Sequence, residues 1–150
     1  MRLTTLSDYA LRLLMMADAA GNDLITIEAA ADRYRISRTH LMKVANVLTR
    51  TGYLKAVRGR SGGLKLGMPA NTIRIGEVIR ATEPDFALVE CFANGNQCII
   101  TGACKLPRLL NEGLEAFVQT LNQHTLADIA LGTPSTAMDK GVAIAGSRVK

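Results

Sequence analysis

Apolar residues in the first fifty positions recur at helical spacing in three separate segments. The first predicted helix spans residues 5–20, with Thr5 and Asp8 at the spacing of a capping box. A second, shorter helix is predicted to begin after Thr26, and a third after Ser37, because each of these hydroxyl residues is a good N-cap before an apolar-periodic run. The chain therefore begins as a small bundle of helices.

The third predicted helix has one apolar face and one polar face. Its apolar stripe, at the i, i+3, i+4, i+7 spacing, consists of Leu41, Val44, Ala45 and Leu48. The opposite side carries Thr39, Lys43, Asn46 and Arg50, and the first turn adds Arg38 and His40. A short helix, a tight connection and then a helix with a polar, basic outer face is typical of a helix-turn-helix. This helix is therefore predicted to read DNA.

A hairpin is predicted directly after the third helix. Two strand-like runs, at residues 53–57 and 64–68, flank the sequence Arg-Gly-Arg-Ser-Gly-Gly. Glycines at such a tip permit positive φ and let the backbone approach a phosphate. One interpretation is an ordinary hairpin. The other is the wing of a winged helix, with Arg58 and Arg60 contacting phosphates or the minor groove.

The remaining pattern predicts a mainly α fold with this small β-hairpin as its wing. A winged helix-turn-helix domain over 1–83 precedes a loop over 84–105, then a long helix and a short one over 106–131, and a disordered tail over 132–150. The long helix has a heptad-like seam: Leu110, Leu114, Phe117 and Leu121. Such a seam either pairs with a second copy, giving a homodimer, or packs on its own domain. We expect the pairing.

Charge changes this picture from a helical domain to one with a polyanionic partner. The net charge is +5, with a pI near 9.4, and residues 33–65 contain nine Lys and Arg but no Asp or Glu. No run approaches the length of a membrane span and the first residues lack the features of a signal peptide, so a cytoplasmic location with no membrane partner is expected. Since no nucleophile–base constellation is apparent, an enzyme is not expected.

All three cysteines lie within 14 residues, at Cys91, Cys98 and Cys104. Three thiolates in a loop rich in Gly and Asn suit a soft metal centre, but the spacing matches neither a zinc finger nor a bacterial ferredoxin. The spacing leaves open an iron–sulfur cluster, a structural zinc, or cysteines that bind nothing. A fourth ligand could be Asp8, His40, His124 or a nearby Glu.

Several motifs in order resemble the Rrf2 family of bacterial winged-helix regulators. They are MRLTTLSDYALR, ISRTHLMKVANVLTRTGYL, RGRSGGLKL, three cysteines and a long helix, and together they span about residues 1–131. The resemblance implies a homodimeric transcription factor that binds a palindromic site in double-stranded DNA. It also implies an iron–sulfur cluster on the three cysteines, either 2Fe–2S or 4Fe–4S.

Within the family, HLMKVANVL followed by GYL is most similar to the branch that senses nitric oxide. In that branch an acidic residue near the start of the first helix can complete the cluster, and Asp8 stands at that position. In another branch a histidine three residues after the last cysteine is a ligand, and Pro107 replaces it here. The resemblance thus implies a repressor that releases its operator when nitric oxide attacks the cluster or the cluster is lost. An iron- or redox-responsive regulator and a zinc-stabilised DNA-binding protein are the alternatives. An electron carrier is not expected, because it has no use for the basic stretch at residues 33–65.

Overall fold

The computed structural model describes residues 2–83, 88–92, 95–100 and 102–131. Its helices are α1 (Thr5–Ala19), α2 (Ile27–Tyr34), α3 (Arg38–Arg50), α4 (Ile75–Thr82) and α5 (Leu106–Asn122), and its strands are β1 (Leu54–Val57) and β2 (Gly63–Leu66). Short 3-10 segments lie at Ala70–Thr72, Glu90–Phe92 and Leu126–Ile129. The predicted mainly α fold with a β-hairpin is confirmed. The predicted tail, 132–150, lies outside the described residues.

The core lies between α1, α2, α3 and the hairpin. The α3 stripe that the sequence predicts is buried in full, with Leu41 and Leu48 inaccessible to solvent. On α1, Leu13 and Leu14 are equally buried and belong to the same cluster. The Tyr34 hydroxyl at the end of α2 donates to the Arg12 carbonyl of α1 at 3.1 Å. Burial raises the pKa of Tyr34, so its phenol remains a hydrogen-bond donor at neutral pH.

The wing is a two-stranded antiparallel sheet with one additional bridge. Leu54 pairs with Leu66 and Val57 with Gly63. Ile25, before α2, exchanges two backbone hydrogen bonds with Leu64, at 2.9 and 2.8 Å. The hairpin is thereby fixed to the helical core through the segment that leads into the helix-turn-helix.

The start of α1 differs from the predicted capping box. The N-cap is Thr4, one residue before the predicted one, and its side chain makes no cap hydrogen bond. Asp8 falls in the first turn and its carboxylate bonds to Arg12. The prediction was wrong because Glu83, a carboxylate from a distant part of the chain, accepts the N–H of Thr4 and the hydroxyl of Ser7, so Asp8 is not the carboxylate that bonds the N-cap residue.

The predicted capping box near the C-terminal end of the described chain is confirmed. Asp128 accepts from the backbone N–H of Thr125 at 2.7 Å and from its hydroxyl at 2.9 Å. These hydrogen bonds favour the carboxylate form and lower the pKa of Asp128. The cap fixes the short segment that carries Leu126 into the core.

Helix α5 packs along α4 at a close approach. A Cβ at Gly76 would lie 2.4 Å from Asn122 Oδ1 and 2.6 Å from the Val118 carbonyl oxygen, so only glycine fits this crossing. Leu114 is buried here, with 7 % of its surface exposed. Leu114, the second residue of the predicted pairing seam, therefore packs within its own chain. No helix in the described part of the chain is long and apolar enough to cross a bilayer.

Candidate DNA-binding surface and cysteine segment

The turn between α2 and α3 is shaped by two side-chain caps and one left-handed residue. The predicted N-caps are both confirmed: Thr26 Oγ1 and Ser37 Oγ each accept a backbone N–H three residues on, at 3.1 and 3.3 Å. Arg35, the C-cap of α2, has φ of 54° and ψ of 43°. This left-handed residue reverses the chain within a few residues, so that α3 crosses the helix before it.

The outer face of α3 is exposed along its whole length. The predicted DNA-contacting residues of this helix all have exposed side chains: Arg38, Thr39, His40, Lys43, Asn46 and Arg50. The buried stripe on the opposite side fixes this orientation, because the helix cannot rotate without exposing Leu41 and Leu48. Amides, hydroxyls and cations on one exposed helix can contact both base edges and phosphates.

Two of these side chains already have neighbours within the chain. Arg38 forms an ion pair with Glu28 in the first turn of α2. Glu28 precedes residues 33–65, the stretch that contains no Asp or Glu. The His40 ring lies 6.3 Å from the ring of Tyr9 on α1, at an interplanar angle of 37°. The cation of Arg38 is therefore partly neutralised, whereas Lys43 and Arg50 have no carboxylate partner within the described residues.

The tip of the wing depends on glycine for two different reasons. Gly59 has φ of 123°, a conformation that other residues rarely adopt. Gly62 has an ordinary φ, but a Cβ there would lie 2.4 Å from the Val57 carbonyl oxygen. This tight tip leaves Arg58 and Arg60 exposed, and neither is in an ion pair in the part of the chain that the structure describes.

The outer face of the wing carries a like-charge pair that the sequence reading did not single out. Lys55 on β1 stands directly opposite Lys65 on β2, and both are exposed. Like charges directly opposite in an antiparallel pair destabilise the hairpin. A phosphate between or beside them would relieve that repulsion. Strand alternation places Lys55 and Lys65 on the face opposite the buried Leu54 and Leu64, but the register that sets the two lysines opposite each other is given by the structure.

Asp8, the predicted fourth cluster ligand, lies on α1 and binds Arg12 one turn later. Its two carboxylate oxygens accept from Nε and Nη2 of Arg12, both at 2.9 Å. About half of each side chain is exposed, 47 % for Asp8 and 42 % for Arg12. The carboxylate is thus ordered but accessible from outside the chain.

The three cysteines are half-buried, and none is in a disulfide. Cys91 lies in the 3-10 segment after α4, and Cys104 lies just before α5, where its N–H donates to the Ile100 carbonyl at 2.9 Å. Cys98 is positioned by a bond from its N–H to Asn96 Oδ1, at 2.9 Å. Between them, Ile99 is 99 % exposed and Ile100 58 %.

In donor chemistry this segment fits a soft metal cluster, since it offers three thiols in the reduced state. In geometry, no three metal-ligating side chains of the described residues come close enough together to hold one ion. The candidate ligands Asp8, His40 and His124 lie on other elements: α1, α3 and the turn after α5. A cluster would therefore require the cysteine segment to rearrange around it.

The arrangement of the helix-turn-helix, its exposed basic face and the adjoining wing defines a winged-helix DNA-binding protein. Solved structures show the same fold. The cysteine regulator CymR of B. subtilis superimposes with a TM-score of 0.68 at 23 % identity, covering 87 % of this chain and 96 % of that one. IscR of T. potens superimposes with a TM-score of 0.66 at 22 % identity, covering 86 % and 85 %.

Sequence comparison then assigns the family. The Rrf2 model, described as an iron-dependent transcriptional regulator, matches residues 3–131, and the chain belongs to this family. It is 48 % identical over 134 residues to the HTH-type transcriptional regulator NsrR of Bacillus licheniformis, covering 87 % of this chain and 93 % of that protein. It is 47 % identical over 131 residues to NsrR of Bacillus subtilis strain 168, covering 86 % and 90 %. The protein is thus a transcriptional regulator, in a family whose members are not enzymes.

Proposed function

We propose that this protein is a homodimeric, cytoplasmic repressor that responds to nitric oxide through an iron–sulfur cluster. Cys91, Cys98 and Cys104 would hold the cluster, with Asp8 of a second copy as the fourth ligand. The observation that carries the proposal is the joint presence of two features in one Rrf2 chain similar to NsrR. One is an exposed basic surface on α3 and the tip of the wing, called the reading surface below. The other is a segment with three reduced thiols between α4 and α5.

The first support is that the basic surface has two parts, the outer face of α3 and the tip of the wing. We propose that Lys43, Asn46 and Arg50 enter the major groove with α3, because an exposed helix of this width fits that groove. Arg58 and Arg60, at the tip of the wing, would contact phosphates or the adjacent minor groove. Phosphate contacts supply most of the affinity and make it fall steeply with salt.

The second support is an apolar stripe that α5 leaves uncovered. Leu106 is 49 % exposed and Leu109 63 % exposed. Gly113 and Ala116 continue the stripe at helical spacing with small, exposed residues, and a Cβ at Gly113 would meet nothing. Small residues beside leucines allow two helices to approach closely. We propose that two copies pair here, which would place two α3 helices about one turn of DNA apart, as a palindromic site requires.

The third support is the accessibility of Asp8. Its carboxylate faces outward on α1 and is held by a surface ion pair, which is a weak interaction when both partners are about half exposed. A second copy could therefore take this carboxylate as a ligand at small cost.

When bound, the cluster would supply iron, which nitric oxide coordinates strongly. The chain itself would supply three thiolates and a carboxylate, and the carboxylate is the weaker and harder donor. Loss of the cluster would release the cysteine segment next to α5, and Asp8 would be free to pair with Arg12 again. The spacing of the two α3 helices would then no longer be fixed, and affinity for a palindrome would fall.

The test is to purify the protein without oxygen and measure its absorption, its metal content and its operator affinity before and after nitric oxide. The operator would be selected from random duplexes with the purified protein. We expect iron with sulfide, a visible absorption band and a loss of affinity after nitric oxide. Stoichiometric zinc in colourless protein would contradict the cluster. Iron–sulfur protein that loses affinity on iron chelation or oxidation, but not with nitric oxide, would contradict the signal.

A further inference from the structure

The carboxylate of Glu83, at the C-terminal end of α4, bonds to the N-terminus of α1. Its Oε1 accepts from the backbone N–H of Thr4 at 2.9 Å, from the Thr4 hydroxyl at 3.2 Å and from the Ser7 hydroxyl at 2.5 Å. Thr4 is the N-cap residue of α1, and its own side chain makes no cap bond. Glu83, the C-cap of α4, therefore takes the place of the N3 carboxylate of a capping box, because it accepts the N–H of the N-cap residue across 79 positions of sequence.

Two buried hydroxyl groups, those of Ser7 and Thr82, line the inner side of the contact. Ser7 Oγ lies 2.8 Å from Thr82 Oγ1, with Ser7 fully buried and Thr82 1 % exposed. Thr82 Oγ1 also donates to the Val78 carbonyl within α4 at 2.9 Å. Hydrogen bonds to an ionised acceptor are stronger than neutral ones, and a carboxylate at a helix N-terminus gains from the helix dipole as well. The residues Thr4, Ser7, Thr82 and Glu83, called the α1–α4 joint below, form a specific and rigid contact.

The joint lies between α3 and the cysteine segment. The proposed function requires these two parts to be coupled, because the cluster must control DNA binding. On one side, Ser7 is followed directly by Asp8, and α1 packs against α3, the reading helix. On the other side, Glu83 is the last residue of the domain before the chain continues to Cys91. A change in the position of the chain at residue 83 must therefore either move the start of α1 or break three hydrogen bonds.

We propose that Glu83 is a positioning residue that transmits the state of the cysteine segment to α1 and so to α3. Ligation would restrain the chain at Cys91, and the joint would convert that restraint into a fixed orientation of α1 against α4. After loss of the cluster, the joint would still link the end of α4 to the start of α1, but no restraint from Cys91 would reach it. This inference rests on the proposed function, because it concerns how the cluster state reaches DNA.

The measured quantity is the coupling ratio: the operator dissociation constant after nitric oxide divided by that of the cluster-bound protein. Allosteric coupling typically changes affinity about 5–150-fold. We expect Glu83→Ala to reduce the ratio to within about twofold of one, with the affinity of the apo-protein unchanged. Glu83→Gln, which keeps an acceptor oxygen but not the charge, should give an intermediate ratio. Glu115→Ala is the matched control, since Glu115 of α5 is a carboxylate that pairs with Arg80 of α4 at 2.6 Å.

Ser7→Ala gives a second and milder variant, because it removes one donor while leaving Glu83 in place. It should lower the ratio while the protein keeps its fold. A wild-type ratio in Glu83→Gln and Ser7→Ala would overturn the inference and leave the proposed function intact. A wild-type ratio of one would overturn both. Hydrogen exchange provides a structural readout: amides of residues 5–8 should gain protection on cluster binding in the wild type, gain less in Glu83→Gln and gain none in Glu83→Ala.

Discussion

The salt dependence of operator binding by Arg60→Ala tests the wing and the dimer together. Arg60 is exposed at the hairpin tip and is in no ion pair within the described chain, so its removal changes little in the fold. Each phosphate contact contributes about 0.9 to the slope of log affinity against log salt. A dimer carries two copies of Arg60 and would lose about 1.8 from this slope, whereas a single bound chain would lose about 0.9.

This difference is large enough to measure by titration at several salt concentrations. Between 50 and 200 mM salt, a slope reduced by about 1.8 makes the fall in affinity about 12-fold smaller than in the wild type. Fluorescence anisotropy with one labelled operator would give both slopes. Arg108→Ala is a matched control, because Arg108 is an 83 % exposed cation on α5, outside the reading surface, with only a distant partner in Glu112 at 3.8 Å. An Arg60→Ala slope equal to that of the wild type would remove the wing from the DNA interface.

Three further predictions concern the cysteines, the helix-turn-helix and the dimer. Serine at any one of the three cysteines should give colourless protein that still folds by circular dichroism, because the winged domain has its own core; a retained visible band would contradict the three-thiolate site. Arg35→Gly should stabilise the protein by up to about 1 kcal/mol, because glycine adopts the left-handed region without a Cβ clash. Thermal melts would measure this, and a lower melting temperature would show that the Arg35 side chain stabilises the fold by more than its left-handed backbone destabilises it. Leu109→Lys should give folded monomers by light scattering, whereas Leu114→Lys should lower the melting temperature because Leu114 is buried against α4; a dimeric Leu109→Lys would place the partner elsewhere.

The parts of the fold that follow from local spacing could be predicted from the sequence. The α3 stripe, the Thr26 and Ser37 caps and the glycine-containing wing all depend on residues within a few positions of each other. A cap bonds to an amide three residues away, and a helical stripe repeats every turn, so no tertiary information is needed.

Long-range contacts account for what the sequence did not predict. The predicted capping box of Thr5 and Asp8 was wrong because Glu83, 79 positions from Thr4, reaches the same helix end. The predicted seam on α5 is apolar, but a heptad pattern does not determine whether it packs on its own chain or on a second copy. Leu114 is buried within its own chain, on the helix that packs against α4. Three cysteines close in sequence likewise do not imply three thiols close in space, and the described residues contain no group of three ligating side chains that could hold one ion.

The role of Asp8 can be separated from that of its ion pair by comparing Asp8→Ala with Arg12→Ala. Both variants remove the same pair, whose two hydrogen bonds of 2.9 Å stabilise α1 by about 0.3–0.5 kcal/mol at this degree of exposure. Their apo-proteins should therefore melt within a few degrees of each other and of the wild type. Only Asp8→Ala would remove the proposed fourth ligand, so only it should alter the cluster absorption and the nitric oxide titration. Arg12→Ala should leave both unchanged or bind the cluster slightly better, because Asp8 no longer has to leave a partner. Equal changes in the two variants would mean that Asp8 acts through Arg12 and α1, and that the fourth ligand is another residue.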